Sequence, residues 1–270
     1  MVEYPHTIGA RLGAELTAMC GAPVEIQNLG GTGYTGRRDV LRMEEALRLK
    51  PDAVLLVVLP VEVHDQVRES EAPASAPADE PAGRGAGPDF RQQLISWSRN
   101  SRAIYIAQHF LYQNPAVYVP LILQSRDNTD FLRPPLSASW QSRLSIFEEL
   151  IGELADRARA AGVPFMLAFV PNQVQAILQA ASPPPPAIDT EALPRALAAI
   201  AGRHGVSFTD TLPEIASVPK PGLLYYQVDG HPSGKAQPVI ARSIAQRFAS
   251  LKTGPFADCR SAAWHEGAAP

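Results

Sequence analysis

The sequence predicts an α/β protein in which a parallel sheet lies between layers of helices. Two observations carry that expectation. Segments with apolar residues at helical spacing alternate along the chain with short apolar runs of strand length. One of those runs, residues 53–59 (Ala53-Val54-Leu55-Leu56-Val57-Val58-Leu59), is aliphatic without interruption. A strand with no polar alternation belongs in the middle of a parallel sheet, because helices cover both of its faces.

The elements follow in order. Ile8, Leu12, Leu16 and Met19 share a helical face, with Thr7 placed to cap it and Gly21 to end it. Residues 24–29 read as a short strand, and the glycine-rich turn 30–36 leads into a helix over 37–49 carrying Val40, Leu41 and Leu47. Pro51-Asp52 breaks the chain before the strand at 53–59. Residues 71–88 are rich in Ala, Pro, Gly and Ser, cannot bury much apolar area, and read as a mobile insertion. A more aromatic helical lobe is expected over 90–135. Ser139 is placed to cap a long amphipathic helix with Leu144, Phe147, Ile151, Leu154 and Ala158, stopped by Gly162. Strands at 163–170 and 206–208 bracket a helix capped by Asp189 that carries Leu193, Leu197 and Ile200. The loop 225–232 precedes a last helix with Val239, Ile240, Ile244 and Phe248, and Pro238 falls in its first turns, where a missing N–H costs least. A single domain over 1–252 with a flexible tail at 253–270 is the expected organisation.

Composition narrows the function classes. The chain has 270 residues, 46% hydrophobic and 19% charged, which excludes wholesale disorder. Twenty-four Lys and Arg against 27 Asp and Glu leave a net charge of −3, no electrostatic ground for a nucleic acid or an anionic membrane as partner. The longest apolar run stops at Pro60, far short of the roughly 20 residues of a membrane span. Met1-Val2-Glu3-Tyr4-Pro5 has no signal-like basic or apolar region, so the cytoplasm is the default expectation. The two cysteines, Cys20 and Cys259, match no zinc spacing. They can form one bridge at most and read as a core thiol and a tail thiol.

Two motifs could carry chemistry. Gly31-Thr32-Gly33-Tyr34-Thr35-Gly36 is a literal G-x-G-x-x-G between an expected strand and an expected helix, with Glu62 near the place of the acidic ribose ligand. Against a dinucleotide site, Arg37-Arg38-Asp39 puts charges where small apolar residues should pack. The second motif is the loop Tyr225-Tyr226-Gln227-Val228-Asp229-Gly230-His231-Pro232-Ser233-Gly234. An aspartate two residues before a histidine, in a turn set by Gly230 and Pro232, can orient and stabilise an imidazole acting as general base. The bland alternative is a polar turn whose Ser233 caps the last helix.

Asp229-Gly230-His231-Pro232 resembles the last catalytic block of the SGNH (GDSL-like) hydrolases. Residues 28–34 are similar to their second block, Lys50 to Leu56 to the strand leading into their third, and residues 163–171 to a later strand ending in proline. The likeness spans residues 8–248 apart from 71–88. It implies a three-layer α/β/α, flavodoxin-like fold that hydrolyses or transfers a small acyl ester, such as an acetylated carbohydrate, with neither metal nor cofactor. It makes His231 the general base, Asp229 its orienter and Gly33 an oxyanion donor, with Glu62 and the pair His64-Asp65 as possible substrate contacts. The Asp-x-His spacing is closer to the branch that includes sugar O-acetyltransferases. Two departures stand out. The third-block asparagine falls near Val61, which donates nothing. The nucleophilic serine falls upstream of Met1, so the first strand is expected to be missing. Ser96, Ser98, Ser139 and Ser233 sit in no strand-to-helix elbow, and no G-x-S-x-G is present. An inactive SGNH-like binding protein and a dinucleotide-binding protein are the competing readings.

Overall fold

The computed structural model describes residues 3–31, 36–70, 102–125, 129–181, 185–227, 230–251 and 254–259. It is a mixed α/β fold with a small parallel sheet. Strands β1 (Val54–Val58), β2 (Phe165–Phe169) and β3 (Ser207–Asp210) lie in the order β1-β2-β3. Val54 pairs with Phe165 and Val58 with Phe169, while Met166 pairs with Ser207 and Phe169 with Asp210. Side chains along β2 alternate between two cores, as a period of two requires. Phe165, Leu167 and Phe169 join one core, with Met166, Ala168 and Val170 in the other.

Helices supply the rest of each core. Helix α1 (Ile8–Cys20) starts at Thr7, whose hydroxyl accepts from the Ala10 N–H, and ends at Gly21 with φ 68°. Its Leu12, Leu16 and Met19 share a core with Ile240, Ile244 and Phe248 of the last helix, Gln237–Ser250. Helix α2 (Arg37–Arg48) places Met43 in the other core. There it lies with Phe147, Ile151 and Leu154 of the long helix Ala138–Ala160 and with Leu193, Leu197 and Ile200 of the helix Ala192–Arg203. In chain order the remaining helices among the described residues are α3 (Pro60–Ser70), α4 (Arg102–Gln113), α5 (Pro115–Gln124), α6 (the long helix), α7 (Gln173–Gln179), α8 (Ala192–Arg203), α9 (Leu212–Ser217) and α10 (Gln237–Ser250). No helix among the described residues is long and apolar enough to cross a membrane.

Several expectations are corrected. The aliphatic run at 53–59 forms β1, but among the described residues β1 is an edge strand. It is half-buried at four of its five positions, while β2 is buried at all five. Residues 24–29 join no strand ladder. They nonetheless advance like one along α1. A Cβ at Gly13 would meet Val24 and Ile26, and one at Gly9 would meet Ile26 and Asn28. Two residues of this segment therefore match four of helix, about 6 Å at 1.5 Å each, which is a strand-like rise of about 3 Å per residue. The cap of α6 is Ser137, whose side chain accepts from the Trp140 N–H, not Ser139. Asp189 stands three residues ahead of α8 and accepts from the Glu191 N–H. The insertion at 71–88 and the first part of the 90–135 lobe lie outside the described residues; α4 and α5 form its later part.

The cysteines are not separate thiols: Cys20 and Cys259 form a disulfide across 239 residues. Helix α1 packs along α10, so the end of one lies beside the chain leaving the other. Phe256 packs on Phe248 with ring centroids 5.0 Å apart, so part of the expected tail is held against the fold. Opening so long a loop restores much unfolded-chain freedom. Cys259→Ser, or reduction by a dithiol, is expected to lower the unfolding free energy by about 2–4 kcal/mol in a urea titration.

Candidate active site

The loop before α10 is a small clasp. Tyr225 bridges Pro232 in antiparallel fashion, and the Tyr226 N–H donates to the His231 carbonyl at 2.8 Å. Gly230, at φ 72°, donates its N–H to Tyr226 O at 3.0 Å and lets the chain reverse there. The Ser233 N–H and hydroxyl both donate to Leu224 O at 2.8 Å. The Ser233 oxygen also accepts from the Lys235 N–H, so this hydroxyl is tied into the loop rather than presented as a nucleophile. His231 is exposed.

One buried side chain fastens the clasp to the sheet. Tyr225 donates its phenol proton to the carbonyl of Pro171, two residues beyond the carboxyl end of β2, at 2.9 Å. Burial holds that phenol far above its usual titration range, so it remains a donor at any physiological pH. At its other end the clasp meets the approach to α1, where a Cβ at Gly234 would lie 3.9 Å from that of His6. His231 thus stands near the carboxyl end of a parallel sheet, where ligand sites of such sheets gather.

Beside β1 lies a cleft of about 1250 Å³. Asn28, Gly30 and Gly31 border one end, and the Gly30 N–H donates to the Asn28 side chain at 3.0 Å. Glu62 borders the same end. It stands in the first turn of α3 and reaches back to accept the Leu59 N–H at 2.6 Å, the carboxylate half of a capping box. Burial pushes its pKa up to about 7, the Leu59 N–H pulls it down, and the nearby Asp39 adds to the rise. A carboxyl that titrates near neutrality can hold or release a proton at physiological pH. Asp210, at the end of β3, is likewise raised by burial, to about 6, although it accepts from the Leu212 N–H.

Gly33 and Asp229 lie outside the described residues, as does most of the G-x-G-x-x-G turn. Of the other expected residues, the cleft takes in Glu62, while His231 occupies the clasp. His64 contacts its neighbour Asp65 at 2.9 Å and packs toward Trp140 of α6, with ring centroids 6.1 Å apart. Val61 is 49% exposed and brings only methyl groups to the surface. His204 is the residue following α8. Among the described residues no group of three or more His, Cys, Asp or Glu is arranged to hold a metal ion. Sequence reasoning missed Tyr225 as the anchor, because its partner is a backbone carbonyl 54 residues away. Asn28, the first residue of the block likened to the family's second, carries a turn role that its Asn-x-Gly spacing made legible. Compared with known protein families, curated proteins and solved structures, the chain matches none.

Two outcomes follow from these contacts. Tyr225→Phe leaves the Pro171 carbonyl without this donor and is expected to cost about 1–2 kcal/mol of stability by denaturant titration. Glu62 holds a proton in the folded state between its ordinary pKa of 4.5 and about 7 that the unfolded chain has already lost. Stability therefore falls as pH rises through that window. Glu62→Gln keeps an acceptor for Leu59, flattens this part of the profile, and should exceed the parent at pH 8 by up to about 3 kcal/mol.

Proposed function

We propose that this chain is the larger part of an SGNH-like domain that hydrolyses or transfers a small acyl ester, such as an acetyl group on a carbohydrate. The fold belonging to that reading is a three-layer, flavodoxin-like α/β/α arrangement whose first strand, with the nucleophilic serine, precedes α1. The observation that supports it best is the Tyr225–Pro171 hydrogen bond, which ties the His231 clasp to the carboxyl end of β2 and beside the approach to α1. A serine ending a strand just ahead of α1 comes out on that same rim.

The roles follow from the chemistry of the groups. The serine hydroxyl attacks the acyl carbon and passes its proton to the His231 imidazole, which Asp229 orients. The carbonyl oxygen becomes an oxyanion held by the serine N–H and the Gly33 N–H. Collapse breaks the bond to the alcohol, which leaves with the proton from His231. Water or a second alcohol then attacks the acyl-serine, giving hydrolysis or transfer. Val61 offers no donor where the family has an asparagine, and loss of such a donor typically costs about a hundredfold to a thousandfold. That departure favours a second reading, an SGNH-like protein that binds an ester or sugar without turning it over.

The assay compares three proteins on one activated acetyl ester: the present chain, the chain extended by a strand ending in Gly-Asp-Ser, and that extension with His231→Ala. The reading expects no turnover above background in the first, turnover in the second, and a loss of at least about a thousandfold in the third. Equal rates in all three would contradict it. Inactivity of all three, with saturable binding of an acetylated sugar, would favour the second reading.

A further inference from the structure

The cleft beside β1 has the form and chemistry of a strand position. It runs the full length of β1, from Cys20, Pro23 and Phe256 at one end to Thr7, Gly31 and Glu62 at the other. Five residues at about 3.3 Å each give a span of about 17 Å. Its walls come from both cores: Leu12 and Leu16 on one side, Phe147 and Leu154 on the other. Its long sides are β1 and residues 24–28. A void lying in the plane of the sheet, with an apolar layer above and below, is shaped for an extended chain.

Backbone chemistry makes the same demand. Val54 donates its N–H to Pro164 O, and Val58 accepts from the Val170 N–H. Backbone groups alternate along a strand, so Leu55 and Val57 turn theirs away from β2 and toward the cleft. The next residue in that series, Leu59, has its N–H taken by Glu62. The region needing a ladder partner thus ends where Glu62 caps α3. An edge strand is normally protected by charge, proline or a bulge, and β1 reads Val-Leu-Leu-Val-Val.

We infer that this slot is the seat of a fourth strand, an apolar segment of the same polypeptide that runs parallel to β1 and lies ahead of the short turn Tyr4–His6. The inference deepens the function proposed above, on which its catalytic meaning rests. Its structural content stands on backbone geometry alone. A strand parallel to β1 ends beside Thr7, one short turn (Tyr4–His6) from α1, which is an ordinary strand-to-helix connection. Handedness fixes the position independently. The path from residues 24–28 through α2 to β1, and that from β1 through α6 to β2, advance in one direction across the sheet with their helices against one core. Helix α1 lies in the opposite core. A crossover through α1 keeps the same hand only if it runs in the opposite direction, from a strand between β1 and residues 24–28 back to residues 24–28. The occupant is therefore about five residues long, apolar on both faces and free of proline, because it bonds on both sides.

The test extends the polypeptide ahead of residue 3 with a copy of residues 53–59 and a short turn, and follows amide hydrogen exchange by NMR. Leu55 and Val57 are expected to exchange at least about tenfold more slowly than in the present chain, with Val54, Leu56 and Val58 changed little. A Gly/Ser segment of equal length should leave them fast. Unchanged exchange, or equal slowing by the Gly/Ser segment, overturns the inference. Slowing in the unextended chain that grows with protein concentration also overturns it, in favour of a second copy. Should the extended chain fail to fold, the copied segment with lysine flanks is added as a peptide, and the same two amides decide. Protection without ester turnover by a serine-bearing strand contradicts the catalytic reading alone. Turnover without protection contradicts the slot.

Discussion

Strand β2 must be covered on both faces and paired on both edges, and the architecture answers that need. All five of its residues are buried, with Phe165, Leu167 and Phe169 turned to one core and Met166 and Ala168 to the other. Full burial of each of the four larger side chains stabilises the fold by about 1.5–3 kcal/mol. Their backbone groups cannot be left unpaired in a dry interior. Strands β1 and β3 meet that requirement in parallel register, helices α6 and α8 close one face, and α1 with α10 closes the other. The disulfide between Cys20 and Cys259 then ties the end of α1 to the chain beyond α10.

The same requirement, moved one strand outward, is left unmet at β1. Its sequence is that of a doubly covered strand, yet among the described residues its outer edge faces a cleft rather than a ladder. That open edge accounts for two further features. Residues 24–28 run at strand pitch along α1 and, among the described residues, join no strand ladder, because the position next to them is the cleft. Glu62 sits where polar backbone meets apolar wall, and its raised pKa is the cost of burial offset by the Leu59 N–H. The His231 clasp lies beyond the carboxyl end of the sheet, held by Tyr225, with Gly234 beside His6.

Much of this was legible in the residues because the signals were local. Thr7 and Gly21 bracket α1 as their side-chain and backbone preferences require. The aliphatic run at 53–59 marked a strand, and Gly162 marked the end of α6 with φ 71°. What the residues could not show were relations set by tertiary placement. Pairing needs a neighbour, so residues 24–29 carry a strand's pattern without a strand's bonds. The disulfide joins positions 239 residues apart and leaves no local trace. His64 beside Asp65 looked like site chemistry, yet the turn of α3 directs the imidazole toward Trp140. Helical phase, rather than residue type, separated Glu62 from His64.

The open edge of β1 is the claim on which the account turns, and native-state hydrogen exchange of the present chain tests it most directly. Two classes of amide should alternate along five consecutive residues. Val54, Leu56 and Val58, bonded to β2, should exchange slowly, and Leu55 and Val57, facing the cleft, should exchange quickly. Uniform protection across Val54–Val58 at low protein concentration would mean that the edge is already paired, and would contradict the account.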